Sequence, residues 1–194
     1  MSDISLILSS GSPYRRELLA RLGLPFEAWS PDVDERPLPG EAPSATAVRL
    51  ARAKAQAGAA RSPQAWIIGS DQVADVDGRA IGKPGTLDNA RRQLAELSGR
   101  TVLFHTALCV AHGALGRSHE RLLVTEVVFR RLSAAEIDRY LAREPALDCA
   151  GSAKSEGLGI ALLERLTSDD PTALVGLPLA ALAAILRAEG FAIP

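Results

Sequence analysis

Apolar positions in this chain alternate between short continuous runs and longer stretches of helical period, which is typical of strands and helices that follow one another. The first such pair opens the chain. The run Ser5 to Leu8 predicts a buried strand, and residues 13–22 predict a helix. Between them Gly11 permits a tight turn, Ser12 is a good N-cap, and Pro13 suits the first helical position. The amino terminus therefore reads as strand, small-residue loop and helix.

The same reasoning extends along the rest of the chain. Further strands are predicted at 24–30, 66–70, 73–76, 79–81, 101–111, 122–130 and 160–163, and further helices at 44–60, 86–97, 133–143 and 179–189. Asp77-Gly78 is a strong hairpin signal, and Ser133 with Glu136 forms a capping-box pattern. Because strands and helices alternate before an antiparallel pair, we expect one α/β domain over residues 1–194, with a mixed twisted sheet and flanking helices.

Composition restricts the kinds of partner. At 194 residues, with 22 basic and 23 acidic side chains, the chain can bury a core but carries no overall field to hold long nucleic acid. An anion site would therefore be a local pocket for a small molecule. The start of the chain is polar and acidic, and no apolar run approaches the ~20 residues that span a bilayer. We expect a cytoplasmic protein that does not contact membranes.

The two cysteines and three histidines give no metal pattern. Cys109 and Cys149 lack metal-ligand spacing, and two buried free thiols in a reducing compartment are favoured over a disulfide. His105, His112 and His119 recur every seven residues, but the sequence between them is typical of a hairpin. No metal cluster is predicted from these five side chains.

The first helix start is a candidate anion site. Ser10 and Ser12 frame free helical N–H groups, and Arg15 and Arg16 add positive charge one turn later, so phosphate is the natural ligand. Most strand-to-helix turns bind nothing, however, and the run does not match the Walker pattern. Both interpretations stay open on local grounds.

Carboxylates in two segments are candidate metal ligands or bases. The proline-bounded loop 31–37 carries Asp32, Asp34 and Glu35, an oxygen-rich group that would suit a hard divalent cation beside phosphates. A solvated acidic loop is the simpler alternative. Asp71 stands where a buried strand is predicted to end, and ligands of α/β sheets gather beyond strand ends. It could equally be a turn former.

Lysines supply the complementary charge. Lys54 lies in the middle of a predicted helix, where a surface lysine is the default, whereas Lys83 is fixed between Gly82 and Pro84. The segment 151–160 contains three glycines, which indicates backbone that bends closely around something. A triphosphate needs cations to neutralise its charge, and its hydrolysis needs a carboxylate-held metal or a base to deliver water.

Seven motifs in order, spread over most of the chain, resemble the Maf family of nucleoside triphosphate pyrophosphatases. They are Ser10-Gly11-Ser12-Pro13 with Arg15, Val33-Asp34-Glu35, Arg49-Leu50-Ala51 with Lys54, Gly69-Ser70-Asp71, Gly82-Lys83-Pro84, Ala150-Gly151 and Val175-Gly176-Leu177-Pro178. The resemblance implies two lobes around a central cleft, a divalent cation such as Mg²⁺ or Mn²⁺, and a possible homodimer. It also implies cleavage of a nucleoside triphosphate between its α and β phosphates.

The resemblance also implies roles for single residues. Asp71 matches the proton acceptor for the attacking water, and Glu35 matches an acid that we assign to metal binding together with Asp71. A sole metal-ligand role for Asp71 is the alternative. The residues that match phosphate contacts of the family are Ser10, Arg15, Lys54 and Lys83.

Three positions bear on the choice of base. Where the dTTP/UTP branch of the family carries Arg, Thr and Gln, this chain has Tyr14, Gln72 and Glu156. An aromatic residue, Gln and Glu at these positions resemble the YceF-like subgroup associated with 7-methyl-GTP, in which Trp is more usual at the position of Tyr14. Methylation at N7 makes guanine cationic, and an aromatic face attracts a cation. A carboxylate such as Glu156 can accept both the ring N–H and the exocyclic amine of guanine. Alternatively, Tyr14 is an ordinary helix-face aromatic and Glu156 pairs with Lys154.

The leading hypothesis is thus a metal-dependent pyrophosphatase that clears 7-methyl-GTP from the nucleotide pool. One alternative is a dTTP/UTP pyrophosphatase of relaxed specificity. Another is a nucleotide-binding regulator of cell division without turnover, against which a water-activating carboxylate and two lysines argue.

Overall fold

A computed structural model describes residues 5–194 and shows a seven-stranded mixed sheet with helices on both faces. The strands are β1 (Leu6–Ser9), β2 (Glu27–Trp29), β3 (Trp66–Val76), β4 (Arg79–Ile81), β5 (Thr101–His112), β6 (Arg117–Phe129) and β7 (Leu163–Thr167). The helices are α1 (Pro13–Ala20), α2 (Pro43–Arg61), α3 (Leu87–Leu97), α4 (Ala134–Arg143) and α5 (Leu179–Ala188). Short 3-10 turns lie at Ala150–Ser152, Leu158–Leu162 and Ala173–Val175. The predicted α/β class with a mixed sheet is confirmed.

Strand β3 is the centre of the sheet. The strand order is β2-β1-β3-β5-β6-β7, with β4 paired to β3; β1 runs parallel to β2 and β3, and the other pairs are antiparallel. On one edge, β3 pairs with β1 through Trp66–Ile68 and with β4 through Ala74–Val76. Between these two stretches, residues 69–73 have no strand partner on that edge within the described chain. An opening in the sheet edge results.

The helix cap, the hairpin turn and the capping box that the sequence predicts are all present in the structure. The Ser12 hydroxyl caps α1 by accepting a hydrogen bond from the backbone N–H of Arg15 at 3.4 Å. Asp77 and Gly78 make the turn between β3 and β4, with φ of 51° and 81°. The capping box at the start of α4 is present with both of its hydrogen bonds. These features depend only on neighbouring residues, so the sequence predicts them well.

Three strand predictions are corrected. The strand predicted at 160–163 is wrong, because Leu158–Leu162 forms a 3-10 turn and β7 begins only at Leu163. There a Cβ added at Gly159 would lie 2.5 Å from the backbone nitrogen of Lys154, so the chain folds back on itself and leaves no room for a strand. Strand β6 begins at Arg117 rather than at 122, and β2 covers only three residues. The polar start of β6 is extended by its pairing with β5.

Helix α2 covers one face of the sheet, and the other four helices contribute to two apolar clusters on the opposite face. One cluster joins α1 and α5 to β1, and the other joins α3 and α4 to β6. On the α2 side, a Cβ added at Gly69 would lie 2.3 Å from the carbonyl oxygen of Ala51 and 2.6 Å from the nitrogen of Ala55. Only glycine lets the backbone of α2 approach β3 so closely.

Both thiols are free, and Cys109 is buried as predicted, whereas Cys149 is half-buried. None of the helices within residues 5–194 combines the length and the apolar character needed to cross a membrane.

Candidate functional site

A cavity of about 690 Å³ lies against the open edge of β3. All nine residues singled out from the sequence line it: Ser10, Tyr14, Arg15, Glu35, Lys54, Asp71, Gln72, Lys83 and Glu156. An apolar part of its wall comes from Phe104, Phe129 and Leu174. Groups that are up to 146 positions apart in the chain are thus brought to one space. The roles of the single residues stay predictions.

Asp71 does not stand at the end of a strand, and this expectation is wrong. It lies in the middle of β3, opposite Ala107 of β5, and is about nine-tenths buried. It reaches the cavity because β1 has already ended and leaves the edge of β3 open at this point. Asp71 therefore does lie beside the end of a strand, but that strand is the neighbouring β1 and not β3 itself.

Lys54, Glu35 and Asp71 form an ionic cluster. The Lys54 ammonium donates to Oδ1 of Asp71 at 2.7 Å and lies 2.6 Å from Oε1 of Glu35. Lys54 is only 5% exposed, so the default of a surface lysine is wrong. A buried ammonium is costly unless it is paired, and the two carboxylates provide that pairing. The close approach of α2 at Gly69 brings the helix and the strand into this contact.

Glu35 differs from the other acids of its loop. Asp32 is exposed, and Asp34 forms an exposed ion pair with Arg36 at 2.6 Å, as a solvated loop would. Burial alone would raise the pKa of Glu35, but the hydrogen bond and charge of Lys54 outweigh it and lower that pKa. Glu35 is thus ionised at neutral pH and directed to the cavity.

Arg49 and Glu41 fasten the loop that carries Glu35. Glu41 accepts both arms of the Arg49 guanidinium, at 2.6 and 2.7 Å, and the hydroxyl of Thr46 at 2.9 Å. Arg49 also donates to the backbone carbonyl of Arg36 at 3.1 Å. The Arg49 fork, with the backbone N–H of Leu38, lowers the pKa of Glu41 to about 2. Arg49 of α2 thus holds the acidic loop at the backbone of Arg36 and, just after the loop, at the side chain of Glu41.

Glu35 and Asp71 are the side chains that could hold the divalent cation that the family resemblance implies. Within residues 5–194, no three His, Cys, Asp or Glu side chains are grouped to hold a metal ion. Glu35 and Asp71 nevertheless direct carboxylate oxygens at one cationic point, the Lys54 ammonium. Mg²⁺ is commonly held by one or two carboxylates, with substrate phosphates and water as its other ligands. The residues fit such an ion.

The start of α1 supplies fixed positive charge. Oγ of Ser10 accepts from the backbone N–H of Ser12 at 3.2 Å and from the Arg15 guanidinium at 3.4 Å. Nε of Arg15 donates to the carbonyl of Gly176 at 2.8 Å. Burial lowers the pKa of Arg15, and the charge of Asp71 opposes this shift, so the guanidinium stays charged. Sequence reasoning did not predict that the carbonyl of Gly176 holds Arg15, although Gly176 belongs to the motif Val175-Gly176-Leu177-Pro178.

Gln72 addresses the opposite face of β3 from Asp71, since successive side chains of a strand alternate. Its amide nitrogen donates at 2.9 Å to three oxygens, the hydroxyl of Thr106 and the carbonyls of Ala173 and Leu174. Because the sheet edge is open here, both neighbours line the same cavity. The cavity thus reaches around the edge of β3.

A second cluster surrounds Tyr14. Its hydroxyl donates to Oδ2 of Asp148 at 2.7 Å, and the Lys154 ammonium lies 5.3 Å from its ring centroid and 3.5 Å from Oδ1 of Asp148. Tyr14 is therefore not an ordinary helix-face aromatic. In the described chain Lys154 forms its ion pair with Asp148, so the alternative pairing with Glu156 is wrong. Glu156 is exposed and accepts from Ser155 at 3.4 Å.

Sequence reasoning missed Asp148 and the place of Lys154. Asp148 lies two residues before the motif Ala150-Gly151, and Lys154 lies in the glycine-rich segment, but no local pattern puts either against Tyr14. Burial, with the Asp148 carboxylate, raises the pKa of Tyr14 to about 12, so its hydroxyl keeps its proton at neutral pH.

Comparison with known proteins identifies the family to which the chain belongs. A family model described as Maf-like protein matches residues 5–189. Similar relatives named 7-methyl-GTP pyrophosphatase come from Xanthomonas campestris pv. campestris (strain 8004), 59% identical over 97% of this chain and 98% of the relative, and from Cupriavidus pinatubonensis (strain JMP 134 / LMG 1197), 60% identical over 96% and 94%. Another from Xanthomonas oryzae pv. oryzae (strain MAFF 311018) is 60% identical over 97% and 98%. The chain belongs to the Maf family.

Proposed function

We propose that this protein hydrolyses 7-methyl-GTP to 7-methyl-GMP and pyrophosphate and so clears it from the cytoplasmic nucleotide pool. The observation that carries the proposal is a single cavity that holds the Lys54 ionic cluster at one end and Tyr14 at the other. Relatives named 7-methyl-GTP pyrophosphatase, about 60% identical over nearly their whole length, support it.

At the phosphate end, cations and the helix start bind the triphosphate. Arg15 is held by Gly176 and Ser10, so its guanidinium is oriented before substrate arrives, and Lys83 is exposed beside the cavity. Lys54 is fixed by its two carboxylates. Cations held in advance stabilise charge that develops on the leaving pyrophosphate without a cost of reorganisation.

Asp71 accepts the proton of the attacking water. Lys54 donates to its Oδ1, which holds the carboxylate in one orientation and leaves Oδ2 without a protein partner among residues 5–194. A divalent cation bound by Glu35 and Asp71, Mg²⁺ or Mn²⁺, would polarise the phosphoryl group as a Lewis acid. The pH and metal dependence of an Asp71→Asn variant distinguishes whether Asp71 acts as a base, as a metal ligand or as both.

At the base end, the ring of Tyr14 stacks on the cationic 7-methylguanine. Glu156 accepts the ring N–H and the exocyclic amine, a pair of bonds that a pyrimidine cannot offer. Gln72, whose amide nitrogen is committed to the protein, keeps the wall beside the base rigid.

A pyrophosphate-release assay tests the proposal. The panel contains 7-methyl-GTP, GTP, UTP and dTTP, each with and without Mg²⁺ or Mn²⁺. We expect kcat/KM for 7-methyl-GTP to exceed that for UTP and dTTP at least tenfold, about 1.4 kcal/mol of discrimination. Equal rates on UTP would overturn the base assignment and leave the reaction class. Nucleotide binding without turnover would favour the regulator instead.

A further inference from the structure

We propose that Asp148 and the ring of Tyr14 form a cation site, that the Lys154 ammonium fills it in the free enzyme, and that a positively charged base displaces Lys154 from it. This inference rests on the proposed function and adds a specificity residue, Asp148, and a competing internal cation, Lys154. Selection for 7-methylguanine over guanine then follows from an exchange of one cation for another.

The contacts define the site. The Asp148 carboxylate accepts the Tyr14 hydroxyl through Oδ2 at 2.7 Å and meets the Lys154 ammonium at Oδ1 at 3.5 Å. The same ammonium lies 5.3 Å from the centre of the Tyr14 ring, within the ~6 Å over which a ring face attracts a cation. One positive charge is thus held by a carboxylate and an aromatic face together.

The ionisation of the three groups is consistent with this arrangement. Burial alone would raise the pKa of Asp148, but the Tyr14 hydroxyl and the Lys154 charge outweigh it and lower that pKa. The interaction with Tyr14 and the Asp148 charge raise the pKa of Lys154 despite its partial burial. At neutral pH the cluster is therefore an anion, a neutral phenol and a cation.

Lys154 can leave without moving its backbone. Its backbone N–H donates to the Tyr140 hydroxyl at 3.2 Å, and Gly159 packs against its carbonyl, so the main chain is anchored. The ammonium is attached through four flexible methylene groups and can rotate into solvent. The Asp148 side chain is 54% exposed and lines the cavity, so a ligand in the cavity can reach it.

The exchange distinguishes charged from neutral bases. A neutral guanine or uracil that covers Tyr14 removes the ammonium from the carboxylate and offers no charge in return. A 7-methylguanine replaces the lost charge over the ring and beside Asp148. A desolvated cation is attracted to the aromatic face, and the nearby carboxylate adds to the preference.

The test uses equilibrium binding of 7-methyl-GMP and of GMP, so that catalysis plays no part. Isothermal titration is carried out on the wild type, Asp148→Asn, Lys154→Met and the double variant, and Arg139→Met serves as the control for loss of one exposed positive charge outside the cavity. We expect Asp148→Asn to lower the preference for the methylated ligand at least fivefold. Lys154→Met should tighten 7-methyl-GMP binding at least threefold, and this gain should disappear in the double variant.

Each outcome decides between the two proposals. If the wild type prefers 7-methyl-GMP and Asp148→Asn keeps that preference unchanged, or if Lys154→Met weakens binding, the cation site is overturned and the proposed function stands. If the wild type binds both ligands equally and releases pyrophosphate equally from 7-methyl-GTP and GTP, both proposals fail. Asp148→Glu, which keeps the charge, should retain the preference; this guards against a variant that binds poorly because it misfolds.

Discussion

The two proposed ends of the cavity, one for the phosphates and one for the base, are built differently. At the phosphate end, Lys54 and Asp71 come from the long helix α2 and the central strand, and both are at least nine-tenths buried. At the base end, Asp148 and Glu156 come from the irregular segment between α4 and β7, and both are exposed. The two ends meet at neighbouring residues of the chain, at Tyr14 and Arg15 on α1 and at Gln72 and Asp71 on β3.

Under the proposed function, this difference separates chemistry from recognition within one fold. Water attack on a phosphoryl group needs groups held to fractions of an ångström, and packed helices and strands provide this. Base selection needs only a few side chains on exposed segments, and such segments tolerate substitution without loss of the core. We therefore expect changes at the two ends to have separable effects.

The largest effect is expected from Asp71→Asn. Loss of the carboxylate should lower kcat about a hundredfold to ten-thousandfold for every nucleotide alike, with little change in base preference. Pyrophosphate release under saturating substrate and metal measures it. Asp77→Asn, in an exposed turn of the same strand pair, is the matched control and should keep full activity. Full activity of the Asp71 variant would remove the catalytic assignment.

Gly69→Ala should break the phosphate end through packing. The added Cβ would meet the backbone of α2 at Ala51, so the helix has to shift, at a cost of about 1–3 kcal/mol in the free energy of unfolding. Lys54 would move away from Asp71 as well, and kcat should fall at least tenfold. Thermal unfolding measures the first effect. In Gly82→Ala, where the Cβ would meet open space, the melting temperature should stay within about 1 °C of the wild type.

Tyr14→Arg should affect the base end alone. A guanidinium repels a cationic base, so kcat/KM for 7-methyl-GTP should fall about tenfold while that for UTP changes less than about threefold. Tyr14→Trp keeps the aromatic face and should keep the preference. An equal loss on both nucleotides would show that Tyr14 supports the phosphate end too.

The smallest effect is expected at the capping box of α4, which lies outside the cavity. Bonds from the backbone N–H and hydroxyl of Ser133 lower the pKa of Glu136 from 4.5 to about 2. Because the folded pKa is the lower one, the charge of Glu136 stabilises the fold above about pH 4.5, and this contribution disappears as the pH falls towards 2. Glu136→Gln should therefore lower the melting temperature slightly at pH 7 and less at pH 3, with activity unchanged. An equal decrease at both pH values would contradict the role of the charge.

The same division describes what the sequence could predict. The turn at Asp77 and the capping box are local and follow from their own residues. The burial of Lys54 and the place of Asp71 inside a strand depend on how closely α2 approaches β3 at Gly69, and no neighbouring residue of Lys54 records that. The buried carboxylate of Asp170 accepts N–H groups at the start of α5, ten and eleven positions further along, which no pattern near Asp170 indicates. The contact of Asp148 with Tyr14, across 134 positions, escaped prediction for the same reason.

The parallel pairing of β1 with β3 has a consequence for the order of folding. Strands β5 and β6 form a hairpin joined by four residues, which closes rapidly, whereas β1 must wait for a strand some sixty residues further along the chain. During synthesis β1 leaves the ribosome first but acquires its partner only after β3 has emerged. The start of α1, which follows β1 directly, is therefore expected to take its final place late in folding.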